Sequence, residues 1–299
     1  MKKFAACLLA ASAFSFPAQA QLTLMGAGVN RPVSGGGGGG YTGIVDVVGS
    51  PRDCWGFRAC SASVASSNGA LFDLRDAGDT TTTTVHATST GVPNSSEISS
   101  AGCTTIGAGC KVAKAYGQIN GNHCTQAAFA DMPTFDPDGE ATGKPALYSP
   151  AGQGLTCSGV PTSNAPWTIA LTIKPITTPG GNNRIMVGPD PTGILYNSSG
   201  FAVYAGGLST STTAAVGSYY AVVGQSGSSS TTGSLRVNGT DTNGTLDVGG
   251  TNSLNSGLVV LGTGQPQDGR LAEWAVWPIG LNATQRGDVV SNMRTYGGF

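Results

Sequence analysis

Residues 233–240 read GSLRVNGT, a short strand running into Asn238-Gly239. Asn-Gly between apolar segments is the strongest short-range hairpin signal, because both residues tolerate the positive φ of the favoured two-residue turn. The neighbouring segments follow the same pattern. PWTIALTIKPI (166–176), NRIMVG (183–188), GILYNSSGFAVYAG (193–206), SYYAVVGQSG (218–227), GTLDV (244–248) and SGLVVLGTG (256–264) are each bounded by Gly, Asn or Ser. Short strands about ten residues apart, with turn residues between them, make an antiparallel sandwich. GRLAEWAVWP (269–278) is a further strand, ended by Pro278. The period changes in LNATQRGDVVSNMRTYGG (281–298). Asn282 is placed to cap a helix, Arg286, Val289, Val290 and Met293 recur at helical spacing, and Gly297 stops it. The expected fold class is all-β: a two-sheet antiparallel sandwich with disulfide-pinned loops and a short C-terminal helix.

The N-terminal half carries different signals. Residues 1–20 have a short basic start at Lys2 and Lys3, an apolar run from Phe4 to Phe16 and the small-x-small ending of FPAQA, the plan of a cleaved signal peptide. The apolar run is shorter than the roughly 20 residues a membrane-spanning helix needs, so no membrane span is expected and the chain reads as secreted or periplasmic. Residues 21–45, with six consecutive glycines, read as a flexible tail. A single domain is expected over 46–299. Within it, GALFDLRDAG (69–78) and TTTTTVHAT (80–88) read as two strands around a Gly78-Asp79 turn, and CWGFRACSASVASS (54–67) as a short helix or turn.

Charged residues make up 10% of the chain, against about 25% in ordinary globular proteins, and its formal net charge is −1. Beyond the leader, lysines and arginines occur singly, which sets aside nucleic acid and anionic membranes as partners. After the leader, six cysteines remain, an even number that reads as three disulfides in an exported chain. Local spacing favours Cys54–Cys60 and Cys103–Cys110, leaving Cys124–Cys157.

Two resemblances rest on quoted segments. SLRVNGT together with GRLAEWAVWPIGLNATQRGDVV is similar to the closing strands and helix of a concanavalin A-like jelly roll of the laminin-G type. DCWGFRACSASVASSNGALFDLRDAGDTTTTTV, then CTTIGAGC, then AYGQINGNHCTQA resembles, in order, the catalytic domain of α-L-arabinofuranosidase B, over roughly residues 46–130. That family hydrolyses with a glutamate before one strand and an aspartate in a later turn. The matching region here, PTGILYNSSGFAVYAGG, has no acid later than Asp190, and the matching turn, GTGQPQDG, offers Gln265 with Asp268 three residues on. Glycoside hydrolysis needs a pair of carboxylates, so the resemblance implies common scaffold without the family's chemistry.

Candidate site residues follow. KAYGQINGNHCTQAAF (114–129) places His123 beside Cys124, but a bonded Cys124 can be neither nucleophile nor metal ligand, and His86 is the one other histidine. The resemblance implies a structural turn here, with Gly121 in a conformation closed to other residues and Asn120 and Asn122 bonding the loop's own backbone. Trp55, Asn122, His123 and Trp277 are the carbohydrate-binding candidates, tryptophan because its face stacks on a pyranose ring. Trp274 and Trp277 lie three apart and so point to opposite faces of their strand. FDPDGE offers Asp136, Asp138 and Glu140 as oxygen ligands for calcium; no other cofactor is implied. Asp73 and Arg75 share a strand face and read as an ion pair. Asp268 and Glu273 are the acids available to a catalytic reading, and no G-x-S-x-G elbow is present. The leading expectation is an exported, non-catalytic domain that binds a glycan or cell-surface polysaccharide. The alternatives are an active α-L-arabinofuranosidase, and a structural part of an envelope or phage-like appendage.

Overall fold

In a computed structural model of the chain, the described residues are 40–140, 142–150, 152–178, 180–188, 192–206, 213–227, 233–244, 253–254, 257–262 and 268–299. The leader, most of the expected tail, the strand read in GTLDV beyond Gly244, Asp190 and Gln265 lie outside them.

The strands are β1 (Asp53–Gly56), β2 (Ala70–Arg75), β3 (Thr82–His86), β4 (Lys111–Ala115), β5 (Cys124–Thr125), β6 (Thr134–Asp136), β7 (Ala146–Ser149), β8 (Leu155–Cys157) and β9 (Thr168–Pro175), followed by β10 (Asn183–Val187), β11 (Gly193–Asn197), β12 (Gly200–Tyr204), β13 (Tyr220–Ser226), β14 (Gly233–Val237), β15 (Thr240–Gly244), β16 (Leu258–Val260) and β17 (Gly269–Trp277). Four helices accompany them: α1 (Ile44–Val47), α2 (Ala62–Ser66), α3 (Ser95–Ser100) and α4 (Ala283–Gly297). All strand pairings are antiparallel. One layer runs β3-β2-β4-β5-β8-β16-β10-β11-β12 and the other β1-β17-β9-β13-β14-β15, and β6 and β7 link β4 to β17 along one side. The result is the expected sandwich. At the quoted hairpin, Val237 pairs with Thr240, and Asn238 and Gly239 turn the chain with φ of 48° and 103°.

The alternation of β9 explains how both faces of its layer become dry. Ile169, Leu171 and Ile173 join the core between the layers, while Ala170 faces the opposite way with Ala221, Val223, Ala275 and Trp277. Small alanines on that second face let α4 lie close, presenting Val289, Val290 and Met293. Asn282 starts α4 by accepting from the Gln285 N–H, and the Gln285 side chain accepts from Asn282 N–H in return, a reciprocal cap.

One expectation needs correction at the N-terminal edge. The packed structure begins before residue 46: Ile44 is buried, the Tyr41 hydroxyl donates to the Ala59 carbonyl, and Thr42 O accepts from Asn292 Nδ2. Within CWGFRACSASVASS, Cys54–Gly56 belongs to strand β1, and the expected short helix is α2, which follows Cys60 and is capped by Ser61. The disulfides are Cys54–Cys60, Cys103–Cys110 and Cys124–Cys157. The last joins neighbouring strands β5 and β8 within the core.

Candidate functional site

The His123 loop is organised by a carboxylate that sequence patterns did not single out. Asp53 is fully buried, and its Oδ1 accepts from the N–H groups of Cys54 and Ile119 while Oδ2 accepts from those of Asn120 and Asn122. Residues 117–122 wrap around this one side chain. Gly117 sits so close that a Cβ there would lie 2.5 Å from Asp53 Oδ2, and Gly121 turns the loop with φ +73°. Asn120 and Asn122 bond backbone, but that of Pro51 and Arg52 rather than of their own loop.

His123 leaves this loop onto the outward face of the β2–β4–β5 layer. Its Nδ1 accepts from the Gly117 N–H (3.1 Å), which fixes the proton on Nε2. Burial, followed by the nearby Lys114 ammonium, pulls its pKa below the ordinary histidine value, so the ring is neutral at physiological pH. The ring stands edge-on to Tyr116, centroids 4.9 Å apart.

Register shows what else shares this face. Directly opposed residues of antiparallel strands lie on the same side, and the pairs run Thr84↔Asp73↔Lys114↔Thr125↔Thr156↔Val259. Each of these six side chains is partly or fully exposed, whereas the adjacent row Val85, Phe72, Ala115, Cys124, Cys157 and Leu258 is buried. Asp73 accepts from Thr84 Oγ1 (2.8 Å) and Tyr116 OH (3.1 Å), and Lys114 Nζ lies 4.1 Å from the Tyr116 ring centroid. The outward face thus presents a carboxylate, an ammonium, a phenol, an imidazole and threonine hydroxyls around one strand crossing. The expected Asp73–Arg75 pair does not form, because Arg75 turns to Asp79 instead.

Trp55 and Trp277 are corrected as sugar platforms. Both are fully buried: Trp55 stacks on Trp274 (6.2 Å) and donates to Asn122 O, and Trp277 lies under α4 and donates to Gly49 O. Trp274 and Trp277 do point to opposite faces, and both faces are covered. Glu273 is buried and takes Arg58 in a bidentate pair at 2.9 and 2.7 Å. Arg58 is itself 1% exposed, donates also to Asn292 Oδ1 and lies 4.3 Å from the Tyr296 ring centroid. Glu273 therefore bonds a guanidinium. Asp268 is half-buried just before β17, where its carbonyl accepts from Ile176 N–H.

The three acids of FDPDGE do not gather. Asp136 pairs with Arg270, while Glu140 is 5% exposed and turned inward. Among the described residues no cluster of three His, Cys, Asp or Glu side chains is placed to hold a metal ion.

No protein-family model matches the chain, and no curated protein matches it in sequence. Solved structures do share its fold. A GH54 α-L-arabinofuranosidase soaked with a cyclic sulfate inhibitor superposes with a TM-score of 0.60 at 15% identity, covering 84% of this chain and 65% of that one. An arabinofuranosidase complexed with arabinofuranosyl-α-1,2-xylobiose gives 0.59 at 16% identity, covering 84% and 64%. The likeness is one of fold, and the chain spans just under two thirds of the length of either protein. No helix among the described residues is long and apolar enough to cross a membrane.

Proposed function

We propose that the protein is an exported, non-catalytic carbohydrate-binding protein that holds a glycan against the outward face of β2, β4 and β5. The observation carrying this reading is the cluster of Asp73, Thr84, Lys114, Tyr116 and His123 on a face backed by the disulfide-bonded core. Sugars offer vicinal hydroxyls that both donate and accept, and a carboxylate beside an ammonium meets both needs. Glu273 is fully engaged by Arg58, which supports a scaffold role for the most deeply placed acid of β17. Three disulfides support an oxidising destination.

The test is depletion of residues 21–299 from solution by insoluble arabinan, arabinoxylan and unrelated polysaccharides, with the supernatant assayed for free sugar. Binding without release is expected, weakened about tenfold or more by Tyr116→Ala or Asp73→Asn, a loss on the scale of one or two charge-assisted hydrogen bonds. A second reading, an active α-L-arabinofuranosidase using Asp268, is favoured by the fold shared with such enzymes. Release of arabinose that Asp268→Asn abolishes would establish it and overturn the first. Stable oligomers with no affinity for any polysaccharide would instead favour a structural role.

A further inference from the structure

A cavity of about 310 Å³ opens between α3 and the C-terminal turn of α4 and shares no residue with the Asp73–His123 cluster. Val92, Pro93 and Ile98 form one wall, and Pro137, Pro145 and the Tyr296 ring form the other. Its volume is at the lower end of small-molecule sites, and such sites pair an apolar lining with few polar groups. Here the lining holds one charged side chain, Lys144. The Lys144 ammonium lies 3.7 Å from the Tyr296 ring centroid and donates to the Tyr296 carbonyl.

The charges behind this wall do not cancel. Arg58 and Glu273 neutralise one another in their bidentate pair. Glu140, whose N–H donates to Lys144 O (2.8 Å), is 5% exposed, and its Oε2 makes no hydrogen bond among the described residues. Burial, reinforced by Glu273, pushes its carboxyl up to about 7, against the opposing pull of Arg58 and Lys144. The Tyr296 and Tyr219 hydroxyls also lie within its field and stay neutral, since burial raises both. Asp138, exposed beside Gly143, and the Asp136–Arg270 pair are the other charges at this loop, and neither lines the chamber; whenever Glu140 holds its proton, the chamber wall carries the charge of Lys144 alone.

We propose that this cavity binds a small organic monocarboxylate, its apolar body against Val92, Pro93 and Ile98 and its carboxylate on Lys144 Nζ. Proton uptake by Glu140 and binding of the anion favour each other, because ionised Glu140 repels the ligand's charge. If only the protonated form binds well, apparent affinity follows its population and falls about tenfold between pH 6 and pH 8.

Benzoate is the probe, with benzyl alcohol as its uncharged counterpart, titrated into residues 21–299 and followed by saturation-transfer NMR. Saturable benzoate binding is expected, at least tenfold tighter than that of benzyl alcohol. Lys144→Gln should weaken it about tenfold, a loss of about 1.4 kcal/mol, and Glu140→Gln should flatten its pH dependence. Ser99→Trp, at an exposed position on the cavity rim, fills the chamber without touching the buried charges and should abolish binding. Absence of saturable transfer overturns the proposal. So does binding that Ser99→Trp leaves intact, or equal affinity for the alcohol.

Discussion

Replacing Glu273 by glutamine separates a structural carboxylate from a catalytic one. The change keeps the shape of the side chain but leaves the Arg58 guanidinium buried without a counter-charge, and Arg58 is 1% exposed. Removing one partner of a buried ion pair costs about 3–5 kcal/mol, because the surviving charge stays desolvated. Arg58 retains Asn292 Oδ1 and the Tyr296 ring as partners, so the lower end of that range, about 3 kcal/mol, is expected for E273Q. Replacing both residues, as Arg58→Met with Glu273→Leu, removes the stranded charge and should recover most of the loss, as apolar substitutes for buried pairs often do. Urea unfolding with unchanged slope for both variants and the parent measures these differences directly. If E273Q unfolds at the same urea concentration as the parent, the pair does not hold the α4 end of the fold together. The assignment of Glu273 to structure would then fail.

Three further outcomes follow from groups already placed. Asp53→Asn should cost about 2–3 kcal/mol, since an amide offers one acceptor atom where the carboxylate serves four N–H donors; a urea midpoint equal to the parent's would show that the 117–122 loop holds itself. Replacing Cys124 and Cys157 together by alanine opens a loop of 33 residues and should cost about 4 kcal/mol by chain entropy, read as a lower melting temperature. Glu140 has its folded pKa raised from 4.5 to about 7, so the folded state binds the extra proton across that window and stability falls as pH rises through it. The parent should lose up to about 3 kcal/mol relative to Glu140→Gln between pH 4.5 and pH 7.5, a difference that parallel unfolding curves will reveal or deny.

What was legible in the sequence depended on the distance over which each signal acts. β14–β15 and α4 were readable because a turn, a cap and a period lie within a few residues of one another, and Asn238, Asn282 and Gln285 do locally what their types do. The cysteine partners were readable from spacing. The very short strands β5 and β8 were not, since two or three residues carry no period; they exist because the disulfide and the core row hold them. Arg58 reads as an isolated charge in an apolar loop, and its partner stands 215 residues later. Asp53 looks like an unremarkable acid before Cys54, yet it organises a loop more than sixty residues downstream. The tryptophans misled for a related reason. Aromatic type suggests a sugar platform, but exposure is decided by α4 and the second layer, which no local pattern around Trp55 or Trp277 announces.

The Cys124–Cys157 bond also decides how the protein would withstand an environment rich in proteases. The thirty-odd residues it spans form β6, β7 and their connections, the bridge that carries the chain from one layer toward the other. A single cut anywhere inside that span produces two polypeptides but not two molecules. The fragments stay fastened across β5 and β8, next to strands that already pair them, and would run as one band until reduced. Damage at this place would go unnoticed by the fold.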